Sequence, residues 1–144
     1  MEADVKTRQE ILDVLDDYAA AYSSKDVRRL LSHVGPDPDV VFIGTGRDEW
    51  VAGTAALREG MLRDMAQAET IRVAFRDVSV SRAGSVAWIS CGLKFDVTVA
   101  DGHVIIDGRF TALLEHRDYK WFFMQAHYSV PAEDQEVGHS YPLS

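Results

Sequence analysis

Hydrophobic positions along the chain repeat first at helical spacing and then at strand spacing. Ile11, Leu15, Tyr18 and Tyr22 recur at intervals of four, three and four, and Leu12 and Ala19 widen the stripe, which predicts an amphipathic helix. Ser23-Ser24 interrupts it. Val27, Leu30, Leu31 and Val34 share one face of a short second helix, which Gly35-Pro36 ends. Residues 39–45 read as a β-like run. A polar, glycine-containing loop leads to residues 49–53, and Thr54 reads as the N-cap of a third helix with Leu57, Met61, Met65 and Ala68 as its buried stripe.

After Glu69 the period changes to two. Ile71, Val73 and Phe75 alternate with Arg72 and Arg76, and then Val78 and Val80 continue on the opposite parity. One extra residue in a strand produces such a switch, so a β-bulge is expected near Arg76-Asp77. Gly84 marks a turn before a strand over 85–100, and Asp101-Gly102 is a strong hairpin signal. A further strand covers 103–117, residues 118–120 turn, and a last strand runs over 121–130 until Pro131. These strands exceed the usual five or six residues or so, and long strands coil. The pattern therefore predicts one α+β domain over 1–131, with three N-terminal helices packed on a long, curved, mainly antiparallel sheet that leaves a concave space. A polar tail, 132–144, follows.

Charge and composition narrow the partners. The net charge is −8, which repels phosphate backbones and anionic lipid, so neither nucleic acid nor membrane is an expected partner. No apolar run approaches the ~20 residues of a membrane span. The first residues lack the basic start and apolar stretch of a signal peptide, and Cys91 is the only cysteine. A cytoplasmic location is the expectation. A chain of 144 residues buries roughly 70% of the surface its unfolded form exposes, enough to fold without metal or disulfide.

Candidate chemistry concentrates in the last two strands. With uninterrupted alternation, Trp121, Phe123, Gln125, His127 and Ser129 share one face, and Arg109, Thr111 and Leu113 share a face of the strand before. Pairing through the Asp118 turn brings Arg109, Thr111, Gln125, His127 and Ser129 into one polar patch, expected to face the concave space because buried polar groups need partners. His127, with a reference pKa of ~6.5, is either a general base or a structural hydrogen-bond donor. The Arg109 fork suits a carboxylate ligand, or an ion pair with Asp48, Glu49 or Asp107.

Tyr18 offers a phenol to a developing oxyanion, although its place on the helix stripe equally suits a core tyrosine. Trp50 either lines the pocket or anchors its loop. Asp48 and Glu49 are loop carboxylates, able to act as bases if buried and otherwise solvated. Cys91, amid Ala87, Ile89, Leu93 and Phe95, reads as a packed small hydrophobe. The five histidines show no paired ligand spacing, and no glycine-rich phosphate loop or nucleophile elbow is present. Neither a metal nor a cofactor is expected. The other parity carries Phe122, Met124, Ala126, Tyr128, Phe110, Ala112 and Leu114, so both sheet faces are apolar in part. That predicts a homodimer through the sheet.

Several stretches resemble the SnoaL-like, ketosteroid isomerase-like group of the nuclear transport factor 2-like superfamily. They are Tyr18 to Asp26, Gly53 to Glu59, and the pattern of Arg109, Thr111 and Trp121 followed by Gln125-Ala126-His127-Tyr128-Ser129. This ending is also similar to the association domain of calcium/calmodulin-dependent protein kinase II. The resemblance implies a cone-shaped fold with a pocket at its wide end, usually in a homodimer. It puts Tyr18 where ketosteroid isomerases keep an oxyanion-hole tyrosine. At the general-base aspartate this chain reads Ile43-Gly44-Thr45. The expectation is a protein that holds a small organic ligand, of acidic character, between helices and sheet. As an enzyme it would isomerise, cyclise or dehydrate, with His127 as acid or base and Tyr18 or Arg109 stabilising negative charge. The alternative is a non-catalytic ligand-binding or oligomerisation module.

Overall fold

A computed structural model describes residues 1–142. Helix α1 (Val5–Ser23) starts at Asp4, whose carboxylate accepts the Thr7 N–H at 2.7 Å. The short α2 (Val27–Leu31) is capped in the same way by Asp26, which accepts the Arg29 N–H at 3.0 Å. Helix α3 (Thr54–Gln67) begins one position earlier than expected, because Thr54 is its first helical residue and Gly53, at φ +83°, holds the cap position. The strands are β1 (Val41–Ile43), β2 (Trp50–Ala52), β3 (Thr70–Ala83), β4 (Val86–Val99), β5 (Gly102–Arg117) and β6 (Lys120–Ser129). They form one sheet in the order β2-β1-β6-β5-β4-β3, antiparallel throughout except where β1 runs beside β6. Of the polar tail expected over 132–144, Leu143 and Ser144 lie outside the described residues.

Two bulges bend the sheet. The first falls between Arg76 and Ser79, where Asp77 takes φ +54°, as the change of parity predicts. The second is in β6. Leu113 pairs with Gln125 and Leu114 with Phe123, so Met124 is an extra residue. Trp121 and Phe123 face the helices below this point, and Ala126 and Tyr128 face them above it. The face expected for Gln125, His127 and Ser129 is thereby reversed. They lie on the outer side, opposite Leu113, Thr111 and Arg109.

The helices cover the inner side of the bent sheet, giving an α+β cone. A continuous core runs through it. Its centre is a chain of aromatic rings, with centroid separations of 5.1 Å for Tyr18–Phe123, 6.1 Å for Phe123–Phe110 and 4.8 Å for Phe110–Tyr128. The last two are edge-to-face and the first is tilted, and aromatic pairs of this kind contribute roughly 0.5–1.5 kcal/mol each beyond their burial. Polar ties fix α1 across the sheet. Arg8 donates to the Val78 carbonyl at 2.7 Å, Arg82 to Thr7 Oγ1 at 2.6 Å, and Trp121 Nε1 to Glu10 at 3.0 Å. Asp17 binds both Arg29 and His33 and so locks α2 to α1. No helix among the described residues is long and apolar enough to cross a membrane.

Candidate active site

The wide end of the cone stays open between α3 and the sheet. The open space measures about 310 Å³, within the range of small-molecule sites. Helix α3 supplies Leu57 and Met61 to one wall, and Phe42, Leu93 and Phe95 make apolar parts of the other. Strands β4 and β5 are long enough to reach this end, where they contribute Leu93, Phe95, Val97, Ile106 and Gly108.

Five ionisable side chains border this hydrocarbon lining, among them Arg63 of α3, which pairs with Asp48 and Asp64. Tyr22 and Tyr128 border it from α1 and β6, and Glu49 and Asp64 from the β1–β2 loop and α3. Burial pushes the Tyr128 phenol well above its ordinary value. Burial also raises Tyr22, and the Asp64 and Glu49 charges add to the effect. Both phenols therefore stay protonated at neutral pH. Asp64 is half-exposed. Its carboxyl is held above the usual range by partial burial and then by the neighbouring Glu49 charge, with Arg63 opposing.

The loop that carries Glu49 depends on two glycines. A Cβ on Gly44 would lie 1.9 Å from Glu49 Oε2, and one on Gly46 would lie 2.5 Å from Oε1. Only bare backbone lets the carboxylate fold over its own loop. The Gly44 N–H donates to the Glu49 carbonyl at 2.8 Å, closing the turn. Asp48 meets Arg63 at 3.6 Å, tying the loop to α3 across the mouth.

The predicted site residues divide between the two sides of the sheet. Tyr18 is fully buried and does not border the cavity. Its hydroxyl meets that of Tyr128 at 2.9 Å from behind, so it positions Tyr128 and does not touch a ligand. Arg109, Thr111, Gln125 and His127 do come together, as expected, but on the outer face, away from the cavity, because of the Met124 bulge. Ser129 reaches the rim and accepts a hydrogen bond from Arg109 Nε at 3.1 Å. Trp50 is 71% exposed on that same outer side, and its neighbour Val51 borders the cavity instead. Tyr22, Tyr128 and Asp64 were not anticipated as cavity residues. Asp64 carried a readable signal: it stands seven residues after Leu57 and three after Met61, on the helix face that packs. No group of three or more His, Cys, Asp or Glu side chains able to hold a metal occurs among the described residues.

Helices folded over a coiled sheet, with an apolar cavity at the open end, define a cone-shaped pocket protein. The chain belongs to the SnoaL-like domain family, whose family model matches residues 11–133. No curated protein matches it. Among solved structures it is similar to a nuclear transport factor 2-like superfamily protein from Salmonella enterica, with TM-score 0.84, 19% identity and coverage of 96% of this chain and 100% of that one. It is similar to a provisionally assigned scytalone dehydratase from Novosphingobium aromaticivorans, with TM-score 0.80, 11% identity and coverage of 97% and 95%. A provisionally assigned calcium/calmodulin-dependent protein kinase II association domain from Xanthomonas campestris gives TM-score 0.77, 19% identity and coverage of 92% and 95%. At these identities the likeness establishes the shared fold.

Proposed function

We propose that the protein is an acid–base enzyme acting on a small, largely apolar carbonyl compound held in the cone. The observation that carries this reading is the pairing of protonated phenols with a carboxyl of raised pKa around one apolar cavity. Asp64 removes a proton from the carbon beside the carbonyl, and a carboxyl with a raised pKa is the better base. The C–H electron pair moves onto the carbonyl oxygen. Tyr128, oriented by Tyr18, donates a hydrogen bond to that oxygen as charge develops. Isomerisation, dehydration and intramolecular aldol cyclisation share this first step. The ligand in this reading is neutral, since Glu49 and Asp64 border the cavity, its one lining arginine, Arg63, is already paired with Asp48 and Asp64, and Arg109 lies outside it. His127 has no part in the step.

The test is exchange of α-protons into D2O across a panel of cyclic ketones, followed by NMR, with native mass spectrometry of the purified protein to identify any retained molecule. Saturable exchange is expected, falling ~10²-fold or more in Asp64→Asn and unchanged in His127→Ala. Exchange that survives Asp64→Asn overturns the acid–base reading. Retention of a molecule with no exchange at all leaves a binding module.

The outer sheet face supports a homodimer. Trp88 and Leu113 are cross-strand partners there, 40% and 37% exposed, and Gln125 and Val41 extend their row across the sheet. Large apolar side chains grouped on a sheet face are best covered by a second copy. A cytoplasmic location accords with a single, buried, unpaired cysteine.

A further inference from the structure

The outer face carries a second hollow, on the opposite side of the sheet from the cavity. It is open, measures about 420 Å³, and is bordered by Arg76, Ser79, Ser90, Gly92, Asp107 and Arg109. The register explains why these groups meet. Arg76, Gly92, Arg109 and Ser129 form one cross-strand row over four strands. Ser79, Ser90, Thr111 and His127 form the next. The β3 bulge places Arg76 and Ser79 on the same side although three positions separate them. Two guanidinium groups thus stand beside a line of hydroxyls that ends in an imidazole.

Local detail frees both arginines. A Cβ on Gly92 would lie 2.8 Å from both Cγ and Nε of Arg76, so the absence of a side chain there lets Arg76 lie across β4 toward β5. Its only carboxylate partner among the described residues is Asp107, at 3.4 Å with both side chains more than half exposed. Such pairs contribute little and exchange readily. Arg109 has no carboxylate partner among the described residues. Its Nε is held by Ser129 Oγ, which leaves the terminal nitrogens of the fork for a ligand.

We propose that this hollow binds a phosphate group, free or as the head of a phosphorylated small molecule. A tetrahedral dianion can accept from a fork, a second guanidinium and the serine hydroxyls at once, whereas a planar carboxylate is satisfied by one fork. Asp107 and Asp77 border the same hollow and offset the arginine charge, so binding is modest and Asp107 competes with the ligand for Arg76.

The test is titration of the full chain with inorganic phosphate, followed by NMR of backbone amides at fixed ionic strength, with chloride and acetate as controls. Phenyl phosphate in a parallel arm separates a free ion from a phosphorylated molecule, according to which binds more tightly. Saturable shifts are expected around Arg76, Ser90 and Arg109 with phosphate and not with acetate. Arg109→Gln is expected to weaken binding ~10-fold or more, and Asp107→Asn to tighten it. Shifts that match those of acetate, that do not saturate, or that are unaltered in both variants overturn the proposal. The titration is repeated on Trp88→Asp, because Trp88 and Leu113 lie in the row next to Ser90 and a second copy seated there would also cover the hollow; none of these readings depends on turnover in the cone.

Discussion

The hydroxyls of Tyr18 and Tyr128 meet at 2.9 Å inside the core and join α1 to β6 across 110 positions of sequence. Tyr18→Phe leaves the Tyr128 hydroxyl without that partner. The expected loss is about 1–3 kcal/mol, the usual penalty for stranding a buried polar group. The double variant Tyr18→Phe/Tyr128→Phe should lose less than the sum of the two singles. Urea denaturation of all four proteins measures the difference, and strict additivity would show that the hydroxyl pair contributes nothing.

Asp64 couples pH to stability in an unusual direction. Its folded pKa is raised from 3.8, chiefly by desolvation and next by Glu49. The folded state therefore holds this proton more tightly than the unfolded chain does. Its contribution to stability falls as pH rises from 3.8 through the higher folded value. Asp64→Asn should raise the melting temperature at pH 7 and leave it nearly unchanged at pH 3. A lower melting temperature at pH 7 would contradict this assignment.

Asp17 acts in the opposite sense. Hydrogen bonds from Arg29, then from His33, hold its carboxyl down to about 2. A depressed folded pKa stabilises above the unfolded value of 3.8, and the benefit disappears as pH falls toward 2. Asp17→Asn should flatten the acid limb of the stability curve below pH 4 or so. Calorimetry between pH 2 and pH 5 follows it. Because Asp17 is about one-third exposed, 37% by side chain, solvent screens part of the effect.

Two glycine substitutions should behave in contrary ways. An alanine Cβ at Gly44 collides with the Glu49 carboxylate, so Gly44→Ala should expel that group from the cavity mouth and alter ligand affinity. At Gly60, within α3, a Cβ meets nothing within 4 Å. Gly60→Ala should add about 0.4–1 kcal/mol by restricting the unfolded chain. Chemical denaturation reads the second effect, and ligand titration reads the first.

Leu113→Asp or Trp88→Asp puts charge into the proposed contact between two copies. Light scattering at micromolar concentration should give a dimer for the natural sequence and a monomer for either variant. A natural protein that already runs as a monomer would remove the contact altogether.

The helices and the β3–β6 meander could be read from periodicity, because each buries a regular stripe. Ile71, Val73 and Phe75 followed by Val78 and Val80 even exposed the first bulge. The second bulge gives the same signal, with Trp121 and Phe123 followed by Ala126 and Tyr128, but Phe122 and Met124 fill the gap with apolar residues and mask it. The error passed to every polar residue beyond Met124, so a patch correctly assembled from Arg109, Thr111, Gln125, His127 and Ser129 was put on the wrong side. The actual cavity groups escaped for another reason. Tyr22 and Asp64 sit on helix stripes, where spacing alone does not separate a filled core from one that stops short.

The extra residue at Met124 decides which side chains of the upper half of β6 face the interior. Deleting one position there would rotate Gln125, His127 and Ser129 into the cone and turn Ala126 and Tyr128 out, with almost no change in composition. A single residue gained or lost at that point would exchange the chemistry of the interior for that of the exterior.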